Sequence, residues 1–378
     1  MLLRILITGG AGFIGSHLAL RLKEKGHFVT ILDNLSPQVH GERPEFTSPL
    51  FKSIKNVKFI LGDITNRKLL ENIIHEFDVI FHFAAETGTG QSMYEIARYS
   101  DVNIGGTALL LDIIANKKNK IKKIVLASSR AVYGEGKYFS NELGVVYPNP
   151  REEKDLKRGY FEVKHPGCKT PLILMPTDED SLIHPISIYG ITKQVQEQIL
   201  KTVATALGIP WVIFRYQNVY GPGQSLLNPY TGILSIFSSR ILNNRSINIF
   251  EDGKESRDFV FIDDAIDATI LGLESENANG EVFNVGSGVP VDVLSVANEL
   301  MKNLCKKVPV RISGNYRIGD IRHNYADLKK IESLLGYKPR VSFQEGIKLF
   351  AKWVKKQKIF TNNYSKSLDE LKSRGFLK

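Results

Sequence analysis

Cysteine is nearly missing from this chain. Cys168 and Cys305 are the only two in 378 residues, which excludes a disulfide-stapled scaffold. No apolar run is long enough to span a bilayer, and the N-terminus enters a β-rich run at once, without the layout of a secretory leader. Glycine and proline, at 31 and 15 residues, are ordinary, which excludes collagen-like and low-complexity classes. There is no internal repeat and no low-complexity linker. What remains is a protein expected to be cytoplasmic and soluble, with ample length for a large buried core.

Charge of one sign is in excess, at +10 overall. Such an excess can signal nucleic acid or a membrane surface, but its placement argues against both. Lys117, Lys118, Lys120, Lys122 and Lys123 give one acid-free segment of +5, and residues 351–378 carry +6. The rest of the chain is one unit negative. The excess therefore reads as solvated surface in one helix–strand loop and one basic tail, and no nucleic-acid or membrane partner is expected.

Short β-rich runs alternate with helical patterns through the first half. Strands are expected at Leu2–Thr8, Phe28–Asp33, Val57–Leu61, Asp78–Phe83, Ile124–Ser128 and Trp211–Tyr216. Helices are expected at Phe13–Glu24, Arg67–Glu76, Gln91–Ala115 and Ser187–Ala206. This β-α-β alternation predicts an α/β fold, a doubly wound parallel Rossmann sheet over residues 1–220. A smaller α/β substrate-binding lobe, interleaved with it, is expected over 221–350, followed by the tail. An insertion at about 137–182 reads as a packed or lid-like loop, and Cys305 as core.

The run Ile5-Leu-Ile-Thr-Gly-Gly-Ala-Gly-Phe-Ile-Gly-Ser16 sets Gly9, Gly12 and Gly15 between the first strand and the first helix. Such glycines allow a tight turn, close approach of backbone amides to a pyrophosphate at the helix N-terminus, and close helix–strand packing. Phe13 and Ile14 open that helix. Asp33 ends the second strand, where a carboxylate accepts from ribose hydroxyls and repels a 2′-phosphate. Asn34-Leu-Ser36 offers no cation for that phosphate, so NAD is expected rather than NADP. Asp63 and Ile64, after the third strand, are candidates for the adenine end.

Tyr189 and Lys193 stand four apart on an expected helix and so share a face. A neighbouring ammonium favours the phenolate and brings tyrosine within range as a base. Ser128 and Ser129 end a strand whose C-terminal end borders the ligand crevice of an open α/β sheet.

Together these motifs resemble the extended short-chain dehydrogenase/reductase family, specifically its nucleotide-sugar epimerases and dehydratases, from Leu3 to about Tyr337. The resemblance implies Ser129, Tyr189 and Lys193 as catalytic residues. It places Phe83, Ala84, Ala85, Asn103, Ser128 and Tyr216 with NAD. It also implies Asn218, Asn228, Ile249, Arg257, Arg317 and Asp320 at the nucleotide-diphosphate end, with Gln91, Ser92 and Met93 at the sugar, Arg130 also on the substrate, and a homodimer through a four-helix bundle. The 4,6-dehydratases of the family carry Asp-Glu immediately after the serine. Here Arg130 and Ala131 occupy those positions, and neither can drive elimination. What remains is oxidation at C4 and re-reduction from the opposite face, an epimerisation.

Longer stretches, Asp33–His40, Gly90–Arg98, Ser129–Glu135 and Gly319–His323, are similar to a dTDP-L-rhamnose 4-epimerase subgroup. Three alternatives stay open: a 4-epimerase of UDP-glucose or UDP-GlcNAc type, a net 4-reductase or dehydrogenase, and a non-enzymatic dinucleotide-binding protein. That subgroup's insertion often resembles a zinc ribbon, but His165 and Cys168 alone cannot close a structural zinc site, and no metal is expected.

Overall fold

The computed structural model describes residues 2–230, 232–357 and 364–378. Seven parallel strands form the central sheet: β1 Arg4–Thr8, β2 Phe28–Asp33, β3 Lys58–Leu61, β4 Val79–His82, β5 Lys123–Ser129, β6 Trp211–Tyr216 and β7 Glu281–Val285. Their order is β3-β2-β1-β4-β5-β6-β7. The alternation within each strand sorts its side chains to two faces. Ile5, Ile7, Phe81, Val125 and Phe214 pack toward the helix Phe13–Glu24 and the second lobe. Leu6, Ile80, Ile124, Leu126 and Ile213 pack against Leu70, Leu110, Ile114 and Leu200 of the helices on the other face. Side chains buried on both faces explain why these strands, the edge strand β3 apart, read as nearly continuous apolar runs.

The second lobe is threaded through the first. Its last large strand, β7, returns to the central sheet beside β6. Helices Ile233–Leu242, Val293–Leu304 and Phe343–Val354 share its core. Strand Asn218–Tyr220 runs parallel to Ser256–Phe261, which also pairs with Pro290–Asp292 and His323–Asn324.

Several expectations are corrected. The segment Gln91–Ala115 is not one helix. It runs as Thr89–Ser92, Ile96–Tyr99, a wide π turn over Ser100–Gly105 and then Gly106–Asn116. Arg98 ties Glu95 to Glu86, and the π turn swings Asn103 fully inward. A simple periodicity count does not register such a shift. The insertion is a small three-stranded sheet, Tyr138–Ser140, Gly144–Val146 and Ile173–Leu174, around Tyr138, Val146 and Val163. Cys305 is exposed, ending its helix in a left-handed turn. Lys123 is buried, and its ammonium donates to the carbonyls of Gly272, Leu273 and Ser275 at the end of helix Ile262–Glu274. It is a helix cap, not part of a solvated loop. The described part of the tail, beyond helix Phe343–Val354, folds back as helix Tyr364–Ser373 with Tyr364, Leu371 and Leu377 buried. Residues 358–363 of the expected tail lie outside the described residues.

Candidate active site

The C-terminal ends of the strands open into a cavity of about 560 Å³ that runs from the glycine loop to the second lobe. At its cofactor end stand Gly9, Gly12, Phe13, Ile14 and Gly15. A Cβ on Gly9 would lie 2.6 Å from the Ala84 amide nitrogen, and one on Gly15 2.5 Å from the Gly9 carbonyl. Gly9 also has φ +68°. The turn therefore needs glycine at both positions, and it leaves the first amides of the helix facing the cavity. Asp33 is held by the amides of Ala11 and Leu35 at 3.0 and 2.8 Å. Asn34 donates to Asp63 at 2.7 Å. Ile64, Phe83, Ala84, Ala85 and Tyr216 complete this half of the wall. An amide cradle for a pyrophosphate and a carboxylate at the ribose position, with no Lys or Arg among the described residues lining that end for a further phosphate, fit NAD.

The middle of the cavity holds Ser128, Ser129, Arg130, Tyr189 and Lys193. Ser187 caps the helix Ile188–Ala206 by accepting from the Gly190 amide, and the Ser92 hydroxyl accepts from the Tyr189 amide at 3.0 Å. Tyr189 and Lys193 follow one turn apart, with the Lys193 ammonium 6.0 Å from the phenol ring centre and 2.9 Å from the Ala127 carbonyl. Burial pushes the Tyr189 phenol up, while a hydrogen bond from Ser129 and the charge of Arg130 pull it down. Burial lowers Lys193 to about 7 against the pull of Glu197. Phenol, ammonium and serine hydroxyl thus bracket one point where a sugar hydroxyl can lose its proton.

The far end gathers Asn218, Asn228, Ile249, Arg257, Arg317 and Asp320. The Arg130 side chain reaches Asn218 at 3.4 Å and is pushed down to about 9, first by burial and then by Arg257. Arg257 donates to the carbonyls of Ser256, Ile321 and Arg322, and burial lowers it as well. Arg317 pairs with Asp320 at 2.7 Å over the ring of Phe250. Three guanidinium groups in one partly desolvated wall are suited to an anion with spread charge. Asn228 is buried, its side-chain oxygen accepting from the Tyr230 amide.

Four expected contact residues lie outside this wall. Asn103 accepts from the Glu86 amide and donates to Glu86 and to Thr192 of the catalytic helix, so it braces the site from behind. Gln91 is spent on Gln38, Glu95 and Tyr99. Ser92 holds the start of the Tyr189 helix, and Met93 packs against Gly319. All four sit in the broken helical segment, whose turns face them away from the cavity. Ser128 reaches the wall, but its hydroxyl donates to buried Glu197. Arg322, near them in the sequence, is buried among Glu162, Glu251 and Asp252.

The sequence reading missed two networks. His82 lies between Thr8 and Thr107, pushed down to about 3 by burial and so neutral, tying β1 to β4 and to helix Gly106–Asn116. Glu197 takes Arg215 at two points and Ser128 at a third, locking the catalytic helix to β5 and β6. Glu197 and Lys193 are four apart on the helix; that spacing was the available signal. Among the described residues, no group of three metal-ligating side chains is arranged to hold an ion.

A Rossmann sheet, a glycine cradle and a Ser-Tyr-Lys site define a dinucleotide-dependent enzyme of the short-chain dehydrogenase/reductase type. Residues 5–153 and 166–286 match the NAD dependent epimerase/dehydratase family, and the chain belongs to that family. Its cofactor is NAD. It is 37% identical to a dTDP-L-rhamnose 4-epimerase of Burkholderia thailandensis, over 93% of this chain and 94% of that protein. Among solved structures it is similar to the UDP-glucose 4-epimerase of Thermotoga maritima with UDP-glucose, at 32% identity and a TM-score of 0.73. It is also similar to the UDP-glucuronic acid 4-epimerase of Bacillus cereus with UDP-glucuronic acid and NAD, at 28% and 0.75. Both alignments cover 93% of this chain and 98% of the other.

Proposed function

We propose that this chain, an NAD-dependent nucleotide-sugar 4-epimerase, interconverts dTDP-L-rhamnose and its C4 epimer as a homodimer. The observation that carries the reaction type is the Ser129-Tyr189-Lys193 site with Arg130 and Ala131 where a dehydratase would need acids. Arg130 and Ala131 supply neither a proton donor nor a base for elimination across C5–C6. Glu86, an acid that does line the cavity, is tied to Arg98 at 2.8 Å. The relative at 37% identity supports the sugar, and the UDP-glucose and UDP-glucuronic acid epimerases keep a UDP-hexose as the second reading.

NAD, when bound, accepts the C4 hydride of the sugar and returns it. The chain's residues do the rest. Tyr189 takes the proton of the C4 hydroxyl and gives it back after the 4-keto sugar has turned. Ser129 donates its one hydroxyl proton to the Tyr189 phenolate, and to the sugar oxygen once the phenol carries the proton. Lys193 holds the nicotinamide ribose side and keeps the phenolate favourable. Arg130, Arg257 and Arg317 hold the diphosphate while the hexose turns, so the same ligand presents both faces without leaving.

The test is a panel of dTDP-L-rhamnose, UDP-glucose, UDP-glucuronic acid, UDP-GlcNAc and GDP-hexoses, with products resolved by NMR. The expected result is a C4 isomer of dTDP-L-rhamnose with no net change in nicotinamide absorbance. Tyr189→Phe is expected to lower kcat by about 10²–10⁴-fold with NAD affinity kept. A stoichiometric nicotinamide change would select a net oxidoreductase instead. Absence of any C4 isomer from an NAD-loaded protein would overturn the epimerase reading.

A further inference from the structure

The segment after residue 363 is expected from its composition to be a solvated basic tail, yet it is packed into the site. Tyr364 is 6% exposed and stands in the cavity wall, under the field of Arg317, Asp320 and Arg240. The Arg240 guanidinium lies 5.6 Å from its ring centre. Twelve residues on, the chain begins to pair antiparallel with the strip that carries Arg317. Lys378 and Tyr316 exchange backbone hydrogen bonds at 2.8 and 3.0 Å, the Ile318 amide donates to the Phe376 carbonyl at 3.0 Å, and Arg317 stands opposite Leu377.

Between these ends, Glu370 accepts from Tyr94 at 3.2 Å and from Tyr230 at 2.6 Å. It thereby joins the segment after β4 to the loop that holds Asn228. Leu371 packs near Gly90, where a Cβ would lie 3.7 Å from it, and Arg374 covers the Tyr94 ring at 4.4 Å. Lys378 reaches Glu153 of the insertion at 2.7 Å. One strap thus joins the Arg317 strip and the Asn228 loop, both in the cavity wall, to the segment after β4 and to the insertion. Among the described residues, none of its hydrogen bonds or ring contacts goes to the glycine loop, to Asp33 or to the Tyr189 helix.

We propose that Tyr364–Lys378 is a positioning element of the nucleotide-sugar half of the site: its backbone pairing fixes the Arg317 strip, and Tyr364 walls the space in which the diphosphate is held. This rests on the nucleotide-sugar reading above. A guanidinium on a loop that pairs with nothing loses much of its affinity for a diphosphate to ordering entropy, and a preformed strip avoids that cost. The strap acts on substrate affinity and leaves the cofactor half alone. It also makes the wall near Tyr364 a determinant of which nucleotide fits.

The experiment compares the NAD-loaded full chain, a chain ending at Gln357, and Tyr364→Ala in the full chain. Binding of UDP, dTDP and GDP is measured by calorimetry, NAD affinity by fluorescence, and steady-state KM and kcat with the sugar that turns over. For the shortened chain, nucleotide affinity is expected to fall at least tenfold and KM to rise in step, with kcat within threefold and NAD affinity within twofold of the full chain. Tyr364→Ala, which keeps the backbone pairing, is expected to raise KM three- to tenfold. Tyr364→Phe should restore it, since the ring forms the wall. A shortened chain with unchanged nucleotide affinity overturns the proposal, and so does an equal loss of NAD affinity, which would mark a general loss of stability. If the shortened chain does not fold, an unchanged KM in Tyr364→Ala overturns it. A full chain that binds NAD but none of the three nucleotides overturns the reading on which the proposal rests.

Discussion

Arg130, Arg257 and Arg317 share one wall of the cavity, and each is held differently: by an asparagine, by three carbonyls and by a carboxylate. Beside them, Glu255 has a buried carboxylate oxygen with no hydrogen-bond partner among the described residues, 3.9 Å from Arg322. Burial and then Glu251 push it up to about 7, with Arg257 and Arg322 pulling the other way. Below that pH the group is neutral, and above it a carboxylate faces the same space as the substrate diphosphate. Affinity for UDP or dTDP is therefore expected to weaken as pH rises through about 7, and protons to be taken up on binding, because the dianion raises this carboxyl further. Calorimetry in buffers of different ionisation enthalpy reads that uptake. Glu255→Gln should flatten the profile, and an unchanged slope in that variant would sink the assignment. The same shift acts on stability: a carboxyl raised from 4.5 contributes fully below 4.5, and its contribution is lost as pH rises through about 7. Spacing put Tyr189 and Lys193 among the sequence candidates and the family resemblance added Arg257, and all three line the cavity. Glu255 was not legible, because its character comes first from burial, which the spacing of two acids four apart does not report.

At the scale of elements, strands were legible almost to the residue where both faces are buried, as at Phe28–Asp33 and Trp211–Tyr216. The helix before Asn116 was not, since a break at Met93–Glu95 and the π stretch over Ser100–Gly105 shift which residues share a face. Lys123 shows a related limit: five lysines in seven residues read as one solvated patch, yet β5 begins inside that patch and carries its last lysine under the end of helix Ile262–Glu274. The ammonium satisfies three carbonyls that the helix leaves unpaired, while burial lowers its pKa. Replacing it with methionine keeps most of the volume and leaves those carbonyls unmet. Lys123→Met is expected to cost about 1–3 kcal/mol, read as a melting temperature lower by about 1–4 °C, with KM unchanged. Lys118→Met, on the solvated part of the same segment, should change neither. A Lys123→Met protein as stable as the parent would show the cap to be idle.

For the whole molecule, the outer face of the catalytic helix carries a consequence that the isolated chain leaves open. Tyr189 and Lys193 point inward, while Ile191 is 42% exposed and Val195 and Ile199 follow at four-residue spacing, each half-covered. Helix Gly106–Asn116 lies alongside, presenting Ala108, with Ile96 exposed at the start of the broken segment. A stripe of this kind on two adjacent helices is the self-complementary patch that a two-fold axis closes into four helices. A stable pair needs roughly 600–1,000 Å² from each partner, which two adjacent helices of 11 and 19 residues can supply. The protein is expected to sediment as a dimer at micromolar concentration. Ile191→Glu with Val195→Glu should give a monomer, since two carboxylates per chain would have to be buried against their own copies. Because the catalytic helix is anchored from within by Glu197, Arg215 and Asn103, the monomer should still bind NAD, with its loss appearing as lower thermal stability and lower kcat. A native protein that sediments as a monomer would mean that these apolar residues serve some other contact, and the catalytic helix would then be held by its inner face alone.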